Sequence, residues 1–551
     1  MASIGAVMAM MMLGAEKAES AAQTLVDEHL RLVKPLEYKA NLAWWNANTT
    51  GSDAEFKRKE ETQNALDAAL SNKERFEALK KFDKDGEVSD PTLKRQIHLL
   101  YLQYLEKQVD PELLKKMTAK ANAIEKAFNA YRAKLGGVEI ADGKVREILK
   151  NSTDSTELER VWESSKGVGA VVEKDLKELV GLRNQAAKSL GFDNFHSMML
   201  VVNEQDPAAV LKLFDDLDAM TREPFLMAKA EIDDRLAKRF KCTVADLRPW
   251  HYQDPFFQES PAVFAADLDA PYKSADILKM CSRFYKGNGM PIDDVIARSD
   301  LYEKPGKSPH AFCTDIDREG DVRVLGNIVP TEYWAGTMLH ELGHAVYSSK
   351  NIPRALPYVL RTDAHILATE GVAMMFERFS KNGAFLEKMG IPVADKQAFD
   401  DSARRMRRNR LLIFSRWCQV MLRFEKELYG NPDQNLNALW WSLAEKYQGL
   451  KKPDGRNAPD YASKVHIVTA PCYYHNYEMG ELFACQVHYA MVNVLQPGVH
   501  PRDAIYIEDP RVGDWMRDKV FSQGKLLPWN ALTKHATGKE LNPEAFAEDL
   551  K

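Results

Sequence analysis

Cysteine is scarce in this chain, and its spacing offers no pairs. The six cysteines are Cys242, Cys281, Cys313, Cys418, Cys472 and Cys485, and none form a C-x-x-C step. That pattern argues against a zinc ribbon and against a disulfide scaffold, so free, buried thiols are expected. After the first residues, no stretch is long and apolar enough for a transmembrane helix. There is no excess of positive charge: Lys plus Arg is 75, Asp plus Glu is 80, and the net charge is -5. This argues against nucleic acid as the main partner, because phosphate binding shows a basic face. Internal repeats and low-complexity tracts are absent too. What is present is ample for a large core. Of the 551 residues 45% are hydrophobic, and the length allows several domains or one large bilobal one.

The first residues, "MASIGAVMAMMMLGAEKAES", are apolar up to Glu16. The run resembles a signal-peptide core with a small-residue end, although it lacks a basic start. Residues 1–20 are therefore read as a leader, and export to a periplasmic or extracellular compartment is favoured over the cytoplasm. Residues 20 to 300 read as helix after helix, with apolar positions at three-to-four spacing. Breakers such as "DKDGEVSDP" and "KLGGVEIADGK" separate them. One segment differs. "SPHAFCTDIDREGDVRVLGNIVP" has two short extended runs around "DREGD" and predicts a β-hairpin. A helix opened by Pro330 and Thr331 follows at once, and helices resume from 362 to about 450.

That helix carries "WAGTMLHELGHAVYSS", residues 334–349. His340 and His344 are four apart, so one helical turn aims both imidazoles at the same place. Neutral imidazole is a good zinc ligand. Glu341 is rotated about 100° from His340 and can reach a metal-bound water without ligating the metal. The surroundings are apolar (Trp334, Met338, Leu339, Leu342, Ala345, Val346), and buried histidines there need partners. Gly343 is a poor helix former in mid-helix, which predicts a close approach by another backbone. A third ligand is expected from "RTDAHILATEGVAMMFERFSK". Glu370 is the leading candidate, with Asp363 and His365 as others. Glu377, two turns on, is placed to support a ligand histidine.

A second constellation lies in "SKVHIVTAPCYYHNYEMGELFACQVHYAMV". Lys464, His466, Tyr473, Tyr474 and Tyr477 crowd into fourteen residues. Tyrosine hydroxyls and an imidazole can donate to an oxyanion, and a lysine can hold a carboxylate.

Together these residues resemble the zinc peptidases that include angiotensin-converting enzyme, its bacterial peptidyl-dipeptidase relatives and the thimet oligopeptidase and oligoendopeptidase group. The resemblance is strongest at 308–378 and 464–488, and "NLAWWNANTT" adds to it. It implies one zinc ion per chain held by His340, His344 and Glu370, with Glu341 as the base. It implies Lys464 as the anchor for a substrate's C-terminal carboxylate and His466 as a substrate or transition-state contact. Tyr474 and Tyr477 match two family tyrosines; the oligoendopeptidase pattern picks Tyr473 and Tyr477 instead. Tyr477 is the implied oxyanion donor in both. Ala311 sits where the family holds peptide by its backbone. The Glu370-to-Glu377 spacing is closer to the oligoendopeptidase group.

There are departures. Asn476 replaces an arginine linked to chloride, Cys313 lacks its family partner, and Met374 replaces an aspartate. The expectation is a mainly α, bilobal metallopeptidase, with a deep central cleft and a small β-sheet beside the HExxH helix. It would span 21–551, with a helical lid over roughly 21–200 and the zinc-bearing part over 201–551. Oligopeptides would be its substrates, and release of C-terminal dipeptides its reaction. Internal cleavage of oligopeptides is the alternative, and non-catalytic peptide binding a further one.

Overall fold

The computed structural model describes residues 2–86, 88–263 and 267–551, with side chains from residue 16 onward. The leader expected at 1–20 therefore falls mostly on side chains outside the described residues. The opening helix is long, Ala2–Thr50. Among the described residues no helix is long and apolar enough to cross a membrane. The chain is mainly α-helical, with two small antiparallel hairpins among the described residues.

Several helices open on the same local device. Asp90, Asp110 and Asp206 each precede a proline at the first helical position. Each aspartate side chain accepts an amide from the third residue beyond it. The carboxylate satisfies an orphan N–H, while proline brings a preset φ and has no N–H to lose.

The helices gather into two compact units. One comprises residues 1–108, 268–394 and 487–540; the other comprises 109–267, 395–486 and 541–551. Neither unit is one continuous stretch, so a division near residue 200 does not describe them. Long-range packing sets these boundaries.

In the first unit, the predicted hairpin is formed by Phe312–Asp315 and Val322–Leu325. Its register pairs Phe312 with Leu325 and Asp315 with Val322. Asp317 Oδ1 accepts the amides of Glu319 and Asp321 and closes the turn, where Gly320 sits at φ +108°. Trp45 of the opening helix packs on Ile316 and Leu325, with Leu42 and Phe312 alongside. The helix Glu332–Val346 follows, packed on the helix Ile366–Glu377 and on the first hairpin strand.

The second unit holds a hairpin that the sequence reading missed. "KLGGVEI" was expected to be a breaker. Instead Ala133–Leu135 pairs with Val138–Ile140. Gly136 and Gly137 both have positive φ, the two-residue turn that matches strand twist. Three residues per strand are too few to show alternation. The long helices Pro207–Phe240 and Lys396–Gly430 pack together in this unit. Polar ties join them in the core: Arg416 donates to Asp218 and Thr221, and Gln419 Nε2 donates to the Phe214 carbonyl at 2.6 Å.

Candidate metal centre

The helix Glu332–Val346 starts on Thr331, whose hydroxyl accepts the Trp334 amide. Met338, Leu339, Leu342, Ala345 and Val346 are fully buried and fix its orientation. The expected close approach is present. A Cβ on Gly343 would lie 2.7 Å from the Cα of Ala373, so the two helices touch backbone to backbone. Ala373 is one turn beyond Glu370 on the facing helix. That contact sets Glu370 against the histidine pair.

The result is a compact donor group. His340 Nε2 and His344 Nε2 are 3.1 Å apart. Glu370 Oε2 is 3.4 Å from the first and 4.0 Å from the second. Tetrahedral zinc with bonds of about 2.0–2.2 Å separates its donors by roughly 3.3–3.5 Å. The three atoms therefore fit such an ion. The outer ring nitrogens are engaged elsewhere: His340 Nδ1 is 3.0 Å from Glu377 Oε2, and His344 Nδ1 is 2.8 Å from Thr369 Oγ1. These contacts turn both Nε2 atoms inward. Two inward lone pairs at that distance repel unless a cation or proton lies between them.

The electrostatics agree with the geometry. Burial opposes charge on His340, yet the Glu370 and Glu377 carboxylates outweigh it and hold its pKa well above the ordinary value. Burial and the neighbouring His340 charge push His344 down to about 3. One positive charge is thus favoured where the three donors converge. Glu341 is 8% exposed, and burial raises it to about 7 against the pull of His340. The backbone of Cys313, on the hairpin strand, hydrogen-bonds its carboxylate.

A cavity of about 370 Å³ is lined by His340, Glu341, His344 and Glu370 on one side and by Ala311 and Cys313 on the other. Asp363 also lines it, but the convergent group is His340, His344 and Glu370. His365 serves as a helix cap instead: its Nδ1 accepts the Leu367 amide at 3.1 Å. All six cysteines are free thiols.

The other expected residues gather in the second unit. Lys464 is buried, and its Nζ donates to Gln258 Oε1 at 2.5 Å. The rings of Phe256, Trp417 and Tyr474 surround that ammonium at 5.2–5.3 Å. Burial pulls its pKa down to about 8, partly offset by Asp254. His466 meets Tyr474 edge-on at 4.8 Å between ring centroids. Tyr477 packs on both Tyr473, at 5.3 Å, and Tyr474, at 5.4 Å. Tyr474 is the one shared with Lys464 and His466. His466 Nδ1 is buried without a hydrogen-bond partner, and burial lowers the ring's pKa to about 4.

Sequence reasoning missed Thr369, although it directly precedes Glu370 and so had a local signal. It also missed Gln258 and the aromatic cage. Gln258 lies 206 residues from Lys464, and no spacing rule links them.

Two known families match different parts of the chain. Residues 16–222 match the family described as Angiotensin-converting enzyme, and residues 296–551 match Peptidase family M3. The Angiotensin-converting enzyme of Theromyzon tessulatum is 20% identical over 91% of this chain and 86% of its own length. The Angiotensin-converting enzyme-like protein Ace3 of Mus musculus is 21% identical over 74% of this chain, which spans 59% of that protein. Carboxypeptidase 1 of Bacillus subtilis (strain 168) is 25% identical over 42% of this chain and 50% of its own length.

Proposed function

We propose that this chain, a metallopeptidase by its donor group and its two family matches, holds one zinc ion and hydrolyses short peptides, releasing C-terminal dipeptides. The observation that carries the reading is the spacing of His340, His344 and Glu370, with Glu341 on the same helix and lining the same cavity. When bound, zinc supplies a Lewis acid and a water whose pKa falls to about 7. Glu341 accepts the proton of the attacking water at its carboxylate and passes it to the leaving amine. Glu377 and Thr369 keep the two imidazoles in the tautomer and orientation that a cation needs. The backbone beside Ala311 and Cys313 offers an extended edge for a peptide.

Lys464 supports the dipeptidase mode. Among the described residues no carboxylate lies within 4 Å of its ammonium, and its hydrogen-bond acceptor is the neutral Gln258. A buried ammonium whose desolvation Asp254 offsets only in part attracts a further anion such as a peptide's terminal carboxylate. Internal cleavage is favoured by a different observation: the Glu370-to-Glu377 spacing is closer to the oligoendopeptidase group. Mass spectrometry of products from free-acid and C-amidated forms of one peptide separates the two. Equal cutting of both forms rules out the dipeptidase mode.

Glu341→Gln abolishes turnover on this reading while metal binding persists. Full activity in that variant refutes the mechanism. Substoichiometric zinc in the purified protein favours a non-catalytic peptide binder instead. Tyr477→Phe and His466→Ala test the oxyanion roles implied by the resemblance: each lowers kcat more than it raises KM. Export is a further proposal, tested by fractionating cells that express the full chain.

A further inference from the structure

In the second unit, the turn from Ala470 to Tyr477 is built against its own backbone preference. Cys472 sits at φ +59°, where an L side chain is strained. Its amide donates to Glu425 Oε1 at 2.8 Å inside the core. Glu425 is 2% exposed and stands on the helix Lys396–Gly430.

A second residue grips the other end of the turn. Gln205 is 2% exposed and lies between His475 and Asn476. Its Nε2 donates to Asn476 Oδ1 at 2.7 Å, and its Oε1 is 2.8 Å from His475 Nε2. Asn476 Nδ2 in turn donates to the Tyr473 carbonyl at 3.1 Å. Gln205 is itself held, since its amide donates to the Leu200 carbonyl at 2.8 Å. Both grips come from outside the turn, 47 and 271 residues away in sequence. Between them stand Tyr473 and Tyr474, the two rings on which Tyr477 rests. A shift of the turn therefore moves the Tyr477 ring.

We infer that Glu425 and Gln205 are positioning residues that hold Tyr477 in its working place by clamping the Cys472–Asn476 turn at both ends. The inference rests on the reading of Tyr477 as an oxyanion donor. An oxyanion donor acts on the transition state, so its displacement lowers kcat with little change in KM. Glycine takes φ +59° without steric conflict, so Cys472→Gly makes the turn less dependent on Glu425.

The test uses the full chain loaded with zinc and one free-acid peptide. Glu425→Ala and Gln205→Ala each lower kcat about tenfold to a hundredfold, the scale of a small misplacement, and leave KM within about twofold. Glu425→Ala combined with Cys472→Gly regains most of the lost kcat. Unchanged kcat in the single variants overturns the inference, as does a loss confined to KM. So does a double variant that melts like the parent but stays slow. Should Glu425→Ala fail to fold, Glu425→Gln keeps an acceptor oxygen in place and retains kcat; a slow but folded Glu425→Gln overturns the clamp. Tyr477→Phe distinguishes the failures. If it is slow while both clamp variants are fast, the clamp alone is wrong. If it is as fast as the parent, the oxyanion reading falls and the clamp with it.

Discussion

Gly343→Ala adds one methyl group between the two helices of the metal centre. The new Cβ would sit 2.7 Å from Ala373 Cα and 3.4 Å from Ala373 N and Cβ. Ordinary carbon contacts begin near 3.4 Å. The helices must therefore part by about 0.7 Å, since backbone atoms cannot rotate away as a side chain can. Glu370 lies one turn from Ala373 and moves with it. Metal sites tolerate donor shifts of about 0.2 Å, so the carboxylate leaves its place beside the histidines. Two terms oppose each other in stability. Alanine is the better helix former by about 1 kcal/mol, while overpacking costs about 1–3 kcal/mol. The expected net loss is about 0–2 kcal/mol. Zinc affinity should fall at least about tenfold, equivalent to about 1.4 kcal/mol. The assays are thermal melting with and without zinc, and competition for zinc with a chromophoric chelator. Gly181→Ala is the control. Gly181 lies inside the helix Val168–Ser189 with nothing within 4 Å of an added Cβ, so alanine there should stabilise by about 1 kcal/mol. A Gly343→Ala protein with the parent's zinc affinity and melting temperature would refute the claim that this backbone contact sets Glu370.

Glu377→Gln weakens the hold on His340 Nδ1, and zinc affinity should fall about tenfold to a hundredfold. An unchanged affinity in the same competition assay removes Glu377 from the site. Lys166 gives a pH signature. Burial lowers its pKa from 10.5 to about 7, with Asp460 and Asp254 pulling the other way. Between those values the unfolded chain holds the proton and the folded chain does not. The stability this group contributes is therefore present above 10.5 and is lost as the pH falls through about 7. Lys166→Met should melt higher than the parent at pH 6.5, with the gap closing toward pH 10; a constant gap refutes the assignment. Asn476 is neutral, and its Oδ1 accepts from Gln205, so turnover should not respond to chloride. Several-fold activation by potassium chloride over potassium gluconate contradicts this.

The residues legible in the sequence are those whose relation is local. His340, Glu341 and His344 share barely more than one helical turn, so their spacing already states their geometry. Glu370 and Glu377 share a second helix at a spacing that keeps both on one face. The hairpin at Phe312–Leu325 announced itself through "DREGD" between extended runs, while the shorter one at Ala133–Ile140 did not. Gly343 was legible as a close approach, but its partner Ala373 was not. The chain of each unit also leaves and returns, and no composition shift marks where.

The sequence by itself determined the chemistry that one helix can present: two imidazoles and a carboxylate at fixed angular offsets. It determined this because helix geometry converts spacing into direction without reference to the rest of the chain. Only the tertiary structure decided which atoms turn those groups to use. It chose Thr369 for the outer nitrogen of His344, Gln258 and three rings for Lys464, and Glu425 and Gln205 for the turn before Tyr477. Several of these partners meet because apolar helix faces pack elsewhere, across hundreds of residues, and packing of that kind leaves no periodic mark in the sequence.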